Sequence, residues 1–204
     1  MTPAPKDAQL HETPLPATRA LCRADPWLRQ RERVIWEPAC GPGAIVQALQ
    51  ALGHHVKAGD KYDYSDRWRG RKGQRVAWGK DFLSLSPREI PKHDAIVMNP
   101  PYSGGMADAF MAKAFDVSPR VYALLELDWI QGGEVARARD QLMDSPYWLA
   151  FYPFRERLNE MNRDGWTGRI TPHKKRHAWF VFGREGRADG PYTRRISIKE
   201  FQHG

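Results

Sequence analysis

Short apolar runs alternate with helical patterns along most of this chain. The runs are rich in β-branched and aromatic residues, and glycine or proline separates many of them from stretches with apolar residues at helical spacing. This pattern predicts strands at residues 34–36, 55–58, 75–78, 95–98, 121–127, 148–152 and 178–182. It predicts helices at residues 17–23, 26–31, 43–52, 106–115 and 134–143. The alternation favours an α/β fold with a mostly parallel, seven-stranded sheet and helices on both faces.

The length of 204 residues fits a single domain. Residues 1–12 are polar and contain prolines, which predicts a flexible tail ahead of one domain at residues 13–204. Residues 155–177, between the last two predicted strands, carry only weak secondary-structure signals. Loops of this length inside a compact domain are uncommon and are often functional. Because Trp166 lies between glycines in this basic segment, we predict a substrate-binding loop there.

Positive charge is concentrated in two parts of the chain. The net charge is +8, and residues 151–204 hold 12 Lys and Arg against 6 Asp and Glu. Residues 61–75 hold six basic residues against two acidic ones. Such clusters favour a polyanionic partner, because binding to phosphates releases counterions. A solvated basic surface that aids solubility explains the charge equally well.

Sequence features also narrow the compartment. No apolar run reaches the roughly 20 residues that span a bilayer, and residues 1–18 do not resemble a secretory signal. Cys22 and Cys40 show neither a pairing pattern nor the spacing of metal ligands, so we predict reduced thiols and no metal site. The expectation is a cytoplasmic protein.

A glycine-containing turn follows the first predicted strand. Residues 37–43, with the sequence Glu-Pro-Ala-Cys-Gly-Pro-Gly, connect that strand to a helix. Glycine lets the backbone turn sharply near a ligand, and open α/β sheets bind ligands at this edge. Asp60 ends the next strand, where its carboxylate could accept hydrogen bonds from ribose hydroxyls. Gly41, Gly43 and Asp60 predict an adenosyl cofactor. A nicotinamide cofactor stays open, although Val46 replaces the third glycine of the dinucleotide motif.

Asp81 and Phe82 follow the third predicted strand. A carboxylate at this position could accept a hydrogen bond from an adenine amine, and the ring could stack on the base. Taken alone, the pair is explained more simply by a helix cap beside a core phenylalanine.

The fourth predicted strand runs directly into Asn99-Pro100-Pro101-Tyr102. The Asn99 side-chain oxygen and the Pro100 carbonyl are two acceptors for amine N–H groups, and the prolines hold them in place. Accepting both N–H bonds frees a nitrogen lone pair that otherwise delocalises into an aromatic ring or an amide. Tyr102 can stack on that planar group. We predict that the motif orients such a nitrogen toward an electrophilic methyl group. A simple turn is the alternative.

The two motifs, in this order, resemble the amino-methyltransferases that modify adenine N6 in DNA. The likeness is greatest to the small, single-domain members common in phages and prophages. It rests on residues 37–43 and 99–102, on Thr13-Pro14, and on residues 162–168 followed by 177–181. It spans residues 11–183 with thin stretches between the motifs. The first motif departs from the family where Pro42 replaces a frequent acidic residue, and the sequence holds no large target-recognition domain.

The resemblance implies a Rossmann-like class I methyltransferase fold, S-adenosyl-L-methionine as cofactor, and catalysis by Asn99, Pro100, Pro101 and Tyr102. Its implied cofactor contacts are Thr13, Pro14, Glu37, Ala39, Gly41, Gly43, Asp60, Lys61, Asp81, Phe82 and Asn99. The target base would contact Tyr102. From charge and position we add candidate nucleic-acid contacts in the basic loop at Arg163, Trp166, Lys174, Lys175 and Arg176. A tryptophan that only anchors the loop, and a solvated surface for the three consecutive basic residues, explain the pattern equally well.

Three hypotheses about function follow. The first is a DNA adenine-N6 methyltransferase of low or short-site specificity that acts on a flipped-out base. The second is the same chemistry on RNA adenine or on a protein glutamine, although the glutamine enzymes usually carry Asp where this chain has Glu37. The third is a non-catalytic nucleic-acid-binding protein on the same scaffold, against which the intact Asn99 and Tyr102 argue.

Overall fold

The computed structural model describes residues 10–131, 137–158 and 175–201. The strands in these ranges are β1 (Val34–Glu37), β2 (His55–Asp60), β3 (Val76–Trp78), β4 (Ala95–Met98), β5 (Arg120–Glu126), β6 (Trp148–Pro153), β7 (His177–Gly183) and β8 (Tyr192–Thr193). The α-helices are α1 (Leu15–Ala24), α2 (Ala44–Ala51), α3 (Met106–Val117) and α4 (Arg137–Met143). The short 3-10 helices are Ser65–Arg67, Phe82–Ser84, Pro87–Glu89, Ser103–Gly105, Leu127–Ile130 and Lys199–Phe201.

All the described strands join one sheet in the order β3-β2-β1-β4-β5-β7-β6-β8. Pairing is parallel from β3 through β5, and β7 runs antiparallel between β5 and β6. The predicted mostly parallel α/β fold is therefore confirmed. The predicted count of seven strands is wrong by one, because β8 has two residues, too few for an alternating pattern to show. Strand order reverses between β1 and β4, and such a reversal opens a crevice at the carboxyl ends of parallel strands.

Alternating side chains of the central strands build two apolar cores, one on each face of the sheet. On β4, Ala95 and Val97 belong to the core that α1 and α2 cover. Ile96 and Met98 belong to the core that α3 covers. All four side chains are fully buried, so the predicted placement of helices on both faces is confirmed. The centre of the sheet is tightly packed, so the loops at its carboxyl edge begin at fixed positions.

Two local predictions differ from the structure. Residues 26–31 form turns rather than a helix. The buried Asp25 carboxylate accepts the N–H groups of Trp27 and Leu28, each at 3.0 Å, as a helix N-cap does, but only one helical turn follows, in which the Arg29 N–H donates to the Asp25 carbonyl at 3.1 Å. Residues 10–12, assigned to the tail, instead contact the domain at the cavity described below. Within the described ranges, no helix is both long and apolar enough to span a membrane.

Most of the predicted basic loop lies outside the described residues. Residues 159–174 belong to that part, so the predictions for Arg163, Trp166 and Lys174 stay predictions. The same holds for residues 1–9 of the predicted tail.

Candidate active site

A cavity of about 370 Å³ lies at the carboxyl ends of the strands that flank the crevice. Each of three neighbouring strands delivers a polar side chain to its wall: Glu37 at the end of β1, Asp60 at the end of β2, and Asn99 immediately after β4. The remaining wall comes from residues that precede α1, from the turn before α2, from the loops after β2 and β3, and from the segment between β4 and the start of α3. The sheet therefore brings the two sequence motifs to one site.

The turn between β1 and α2 needs its glycines. Gly41 has φ +49° and Gly43 has φ +91°, both in the left-handed region that other residues enter at a cost. A Cβ on Gly41 would lie 2.8 Å from the Leu10 side chain, and one on Gly43 would lie 2.6 Å from the Trp68 ring. The backbone conformation disfavours a side chain at both positions, and at Gly43 the Trp68 ring also leaves no room for one.

Asp60 fixes this turn from the neighbouring strand. Its Oδ2 accepts the N–H of Gly41 at 2.8 Å, and its Oδ1 accepts the N–H of Tyr62 at 2.8 Å. The residue is only 8% exposed. Burial raises its pKa to about 6, although the backbone N–H groups oppose the shift. Each oxygen keeps a lone pair, so Asp60 can accept a further hydrogen bond from a ligand.

Glu37 is a second buried carboxylate in the same wall and is 2% exposed. Its Oε2 has no hydrogen-bond partner among the described residues. Burial, and then the nearby Asp60, raise its pKa well above the ordinary value, while the Val46 N–H in the first turn of α2 lowers it. A buried acceptor without a partner is costly, and because Glu37 lines the cavity, a ligand bound there could supply the missing partner.

Asp81, Phe82 and Lys61 line the end of the cavity below β3. Asp81 accepts the Leu83 N–H at 3.1 Å and caps a 3-10 helix, and its Oδ2 pairs with Lys61 Nζ at 3.0 Å. Phe82 is buried and its ring packs on Trp36 and Phe110. The cap and the core role that the sequence allowed are thus both present, and both residues also reach the cavity.

Asn99 has both ends of its amide engaged. Its Nδ2 donates to the His11 carbonyl at 2.8 Å. Its Oδ1 accepts from the Tyr102 hydroxyl, which also lies 3.1 Å from the Leu124 carbonyl oxygen. Burial, and then Glu126, raise the pKa of this hydroxyl well above its ordinary value, so it stays a donor. In this conformation Tyr102 occupies the acceptor that the sequence analysis assigned to a target amine.

Most of the predicted site residues meet at the cavity. The predicted residues in its wall are Thr13, Glu37, Ala39, Gly41, Asp60, Lys61, Asp81, Phe82, Asn99, Pro100 and Pro101. Pro14, Gly43 and Tyr102 are not in the described wall. Pro14 precedes the first turn of α1 and is buried, Gly43 faces Trp68, and the Tyr102 ring packs against both apolar cores.

The wall also contains residues that the sequence analysis missed. They include Leu10, His11, Glu12, Tyr62, Tyr64, Ser103, Met106 and Phe110. Met106 and Phe110 are four residues apart on α3, a spacing that places both on one helix face. That spacing, directly after the second motif, could have predicted that both residues line the site. Nothing in the local sequence pointed to Leu10, His11 or Glu12.

Several cations that were predicted to face nucleic acid are paired with carboxylates. Lys175 Nζ lies 3.1 Å from Glu126 and 3.3 Å from Asp128. In the second basic segment Lys61 pairs with Asp81, and Arg69 with Glu12. Arg176 is exposed beside β7. These ion pairs offset part of the positive charge on this side of the molecule.

No metal site is built from the described residues, among which no group of three His, Cys, Asp or Glu side chains could hold an ion.

Neither family models nor curated proteins match the sequence. Solved structures do match the fold.

A candidate class I S-adenosylmethionine-dependent methyltransferase from Listeria monocytogenes superposes with a TM-score of 0.68 at 10% identity, covering 95% of this chain and 68% of that one. The methyltransferase subunit of a type I restriction-modification system from Streptococcus thermophilus gives 0.68 at 12% identity, covering 93% and 48%. A candidate type I modification subunit from Vibrio vulnificus gives 0.62 at 12%, covering 96% and 49%. The chain therefore spans about half the length of these modification subunits. The likeness establishes the fold, which is the Rossmann-like fold of class I methyltransferases.

Proposed function

We propose that the chain is an S-adenosylmethionine-dependent N-methyltransferase that methylates adenine N6 in DNA on a flipped-out base. One observation carries the proposal: a single cavity connects the buried carboxylates Glu37 and Asp60 with Asn99 and Pro100 across the crevice between β1 and β4. That arrangement places a cofactor-sized site beside two acceptors for an amine. A non-catalytic binding module has no need of this combination.

The residues present fit S-adenosylmethionine. The unpartnered Oε2 of Glu37 suits the ammonium group of the methionine part, since a buried carboxylate is stabilised by a cation. The free lone pairs of Asp60 suit ribose hydroxyls, and Phe82 and Asp81 suit the adenine ring and its amine. The cavity volume of about 370 Å³ falls in the range of ligand sites.

When bound, S-adenosylmethionine supplies a methyl group that its sulfonium already makes electrophilic. Asn99 Oδ1 and the Pro100 carbonyl accept the two N–H bonds of the target amine, which localises the nitrogen lone pair. The lone pair would then face the methyl group, whose transfer would break the C–S bond of the cofactor, and water would take the proton that the nitrogen releases. The target amine takes the place of the Tyr102 hydroxyl on Oδ1. Stacking of Tyr102 on the base further requires its ring to leave the two apolar cores against which it packs. The protein's contribution is orientation.

DNA is the proposed substrate because of the resemblance of the two motifs, the positive net charge, and the modification subunits among the structural neighbours. A base inside a duplex cannot reach a cavity at a sheet edge, so the target must leave the stack. The same geometry could serve RNA adenine or a glutamine amide, and these are alternative outcomes of the experiment.

The experiment incubates the purified chain with methyl-labelled S-adenosylmethionine and unmethylated DNA, RNA or cell protein. Labelled N6-methyladenine in the nuclease digest of the DNA is the expected result, and label only in RNA or protein would overturn the DNA assignment. Asn99→Ala should lower turnover by about 10²- to 10³-fold, the range for a preorganised transition-state contact, with cofactor affinity within a few-fold. Gln47→Ala, on the exposed side of α2, is the matched control and should retain activity.

A further inference from the structure

Residues 10–13 cross the cavity ahead of α1, and we name them the N-terminal strap. All four line the cavity. Leu10 packs on Gly41, where its Cδ1 lies 2.8 Å from the position of a Cβ, and Thr13 is 5% exposed. The strap thus lies against the glycine turn on one side and reaches the second motif on the other.

One ion pair ties the strap to the glycine turn. Arg69 Nη2 donates to Glu12 Oε2 at 2.9 Å. The backbone that carries Arg69 is itself fixed, because the Arg69 N–H donates to the Pro42 carbonyl at 2.8 Å and the neighbouring Trp68 ring covers Gly43. The Arg69 side chain therefore leaves an anchored backbone and holds the strap at Glu12.

His11, the residue before Glu12 in the strap, contacts Asn99. The His11 carbonyl accepts the Asn99 Nδ2–H at 2.8 Å, and this contact distinguishes the two ends of the amide. A flipped amide would place Oδ1 against the carbonyl oxygen, two acceptors without a proton between them. The strap therefore selects the rotamer in which Oδ1 faces Tyr102 and is available as an acceptor.

We propose that Arg69 and Glu12 are positioning residues, which act through the His11 carbonyl to hold the Asn99 amide in its accepting orientation. This inference rests on the proposed function for its kinetic consequence. A strap that lines the cofactor cavity and also orients Asn99 couples the two halves of the site. Asn99 Oδ1 is then oriented to accept from the target amine only while the strap contacts Asn99.

Glu12→Ala is the decisive variant, because its charge effect and its positional effect have opposite signs. Removing a carboxylate from a basic protein strengthens binding to DNA, whereas releasing the strap slows methyl transfer. At saturating cofactor and DNA we expect the single-turnover rate to fall about three- to tenfold, the equivalent of one net hydrogen bond. Arg69→Ala should give a similar loss. The exchanged pair Glu12→Arg with Arg69→Glu should recover most of the wild-type rate.

The matched control is Glu200→Ala. It also removes a glutamate from a surface pair with arginine, here Arg23 at 3.8 Å, and neither residue lines the cavity. We expect its rate to stay within about twofold of wild type, since exposed pairs contribute little. A Glu12→Ala rate equal to that of Glu200→Ala would overturn the inference.

A second measurement does not depend on activity. The NMR signal of the Asn99 side-chain NH₂ group can be assigned by its loss in Asn99→Asp. The protons of this group should exchange with water several-fold faster in Glu12→Ala than in wild type. Unchanged exchange would overturn the positioning role whatever the rates are. A wild-type chain that methylates no DNA would refute the proposed function instead, while the amide exchange still decides the inference.

Discussion

The buried carboxylates at the ends of β1 and β2 share one cavity wall but have different partners. Asp60 has a backbone N–H on each oxygen, at 2.8 Å in both cases. Glu37 is more deeply buried and has an oxygen without a partner among the described residues. The folded chain therefore supplies a partner for each oxygen of Asp60 but leaves one oxygen of Glu37 without one, and we propose that the cofactor fills that position. The two acids should respond in opposite ways when stability and cofactor binding are measured separately.

Removing Asp60 should produce the largest effect on folding. Asp60→Ala leaves the N–H groups of Gly41 and Tyr62 without their acceptors, and two lost charge-assisted bonds cost roughly 2–4 kcal/mol in the free energy of unfolding. Urea denaturation of the cofactor-free protein measures this. Asp63→Ala is the control, because Asp63 also accepts a backbone N–H, from Ser65 at 2.9 Å, but is less buried than Asp60. Equal losses in both variants would show that burial does not distinguish the two carboxylates.

Glu37→Gln should have the opposite profile. The amide has nearly the same shape and carries no charge, so the cofactor-free protein should be as stable as wild type or more stable. Affinity for S-adenosylmethionine should fall about 10- to 100-fold, because the glutamine oxygen carries no charge to pair with the ammonium. Titration calorimetry and urea denaturation of the same preparation test both statements. Cofactor affinity within twofold of wild type would remove Glu37 from the binding site.

Cofactor affinity should also depend on pH through Glu37. Burial raises its pKa in the free protein, and a bound ammonium would lower that pKa again, so binding displaces a proton. Affinity should then rise with pH and weaken as the pH falls, and the range from about 5 to 7 brackets the pKa of about 6 of the neighbouring Asp60. Asp60, with a pKa of about 6, adds to the same trend, whereas the buried Cys40 thiol stays neutral because its pKa is raised. Calorimetry across this range should show a flatter profile for Glu37→Gln, and an unchanged profile would contradict the assignment.

The parts of this site that sequence analysis could predict are those that local patterns determine. Asp60, Asn99 and the glycine turn follow directly from strands whose apolar alternation is clear, and parallel pairing brings strand ends together. Of the strap, only Thr13 was among the predicted cofactor contacts. The contacts of Glu12 and His11 could not be predicted, because Arg69 meets Glu12 across 57 positions and Asn99 meets His11 across 88. The same limit explains Tyr102: its hydroxyl contact with Asn99 depends on packing between two cores, and no residue type encodes that rotamer.

The ion pair between Asp81 and Lys61 should have the smallest effect on the free energy of unfolding. Asp81 resembles Asp60 in accepting a backbone N–H, but its other contact is Lys61, whose side chain is 57% exposed. Lys61→Met keeps the aliphatic stem and removes the charge. Because exposed ion pairs are screened by water and salt, the free energy of unfolding should change by less than about 0.5 kcal/mol. Urea denaturation at low and high salt checks this, and any difference should vanish at roughly 1 M salt, where the Debye length is about 3 Å. A loss as large as that of Asp60→Ala would mean that the number of contacts, rather than burial, decides what each carboxylate contributes.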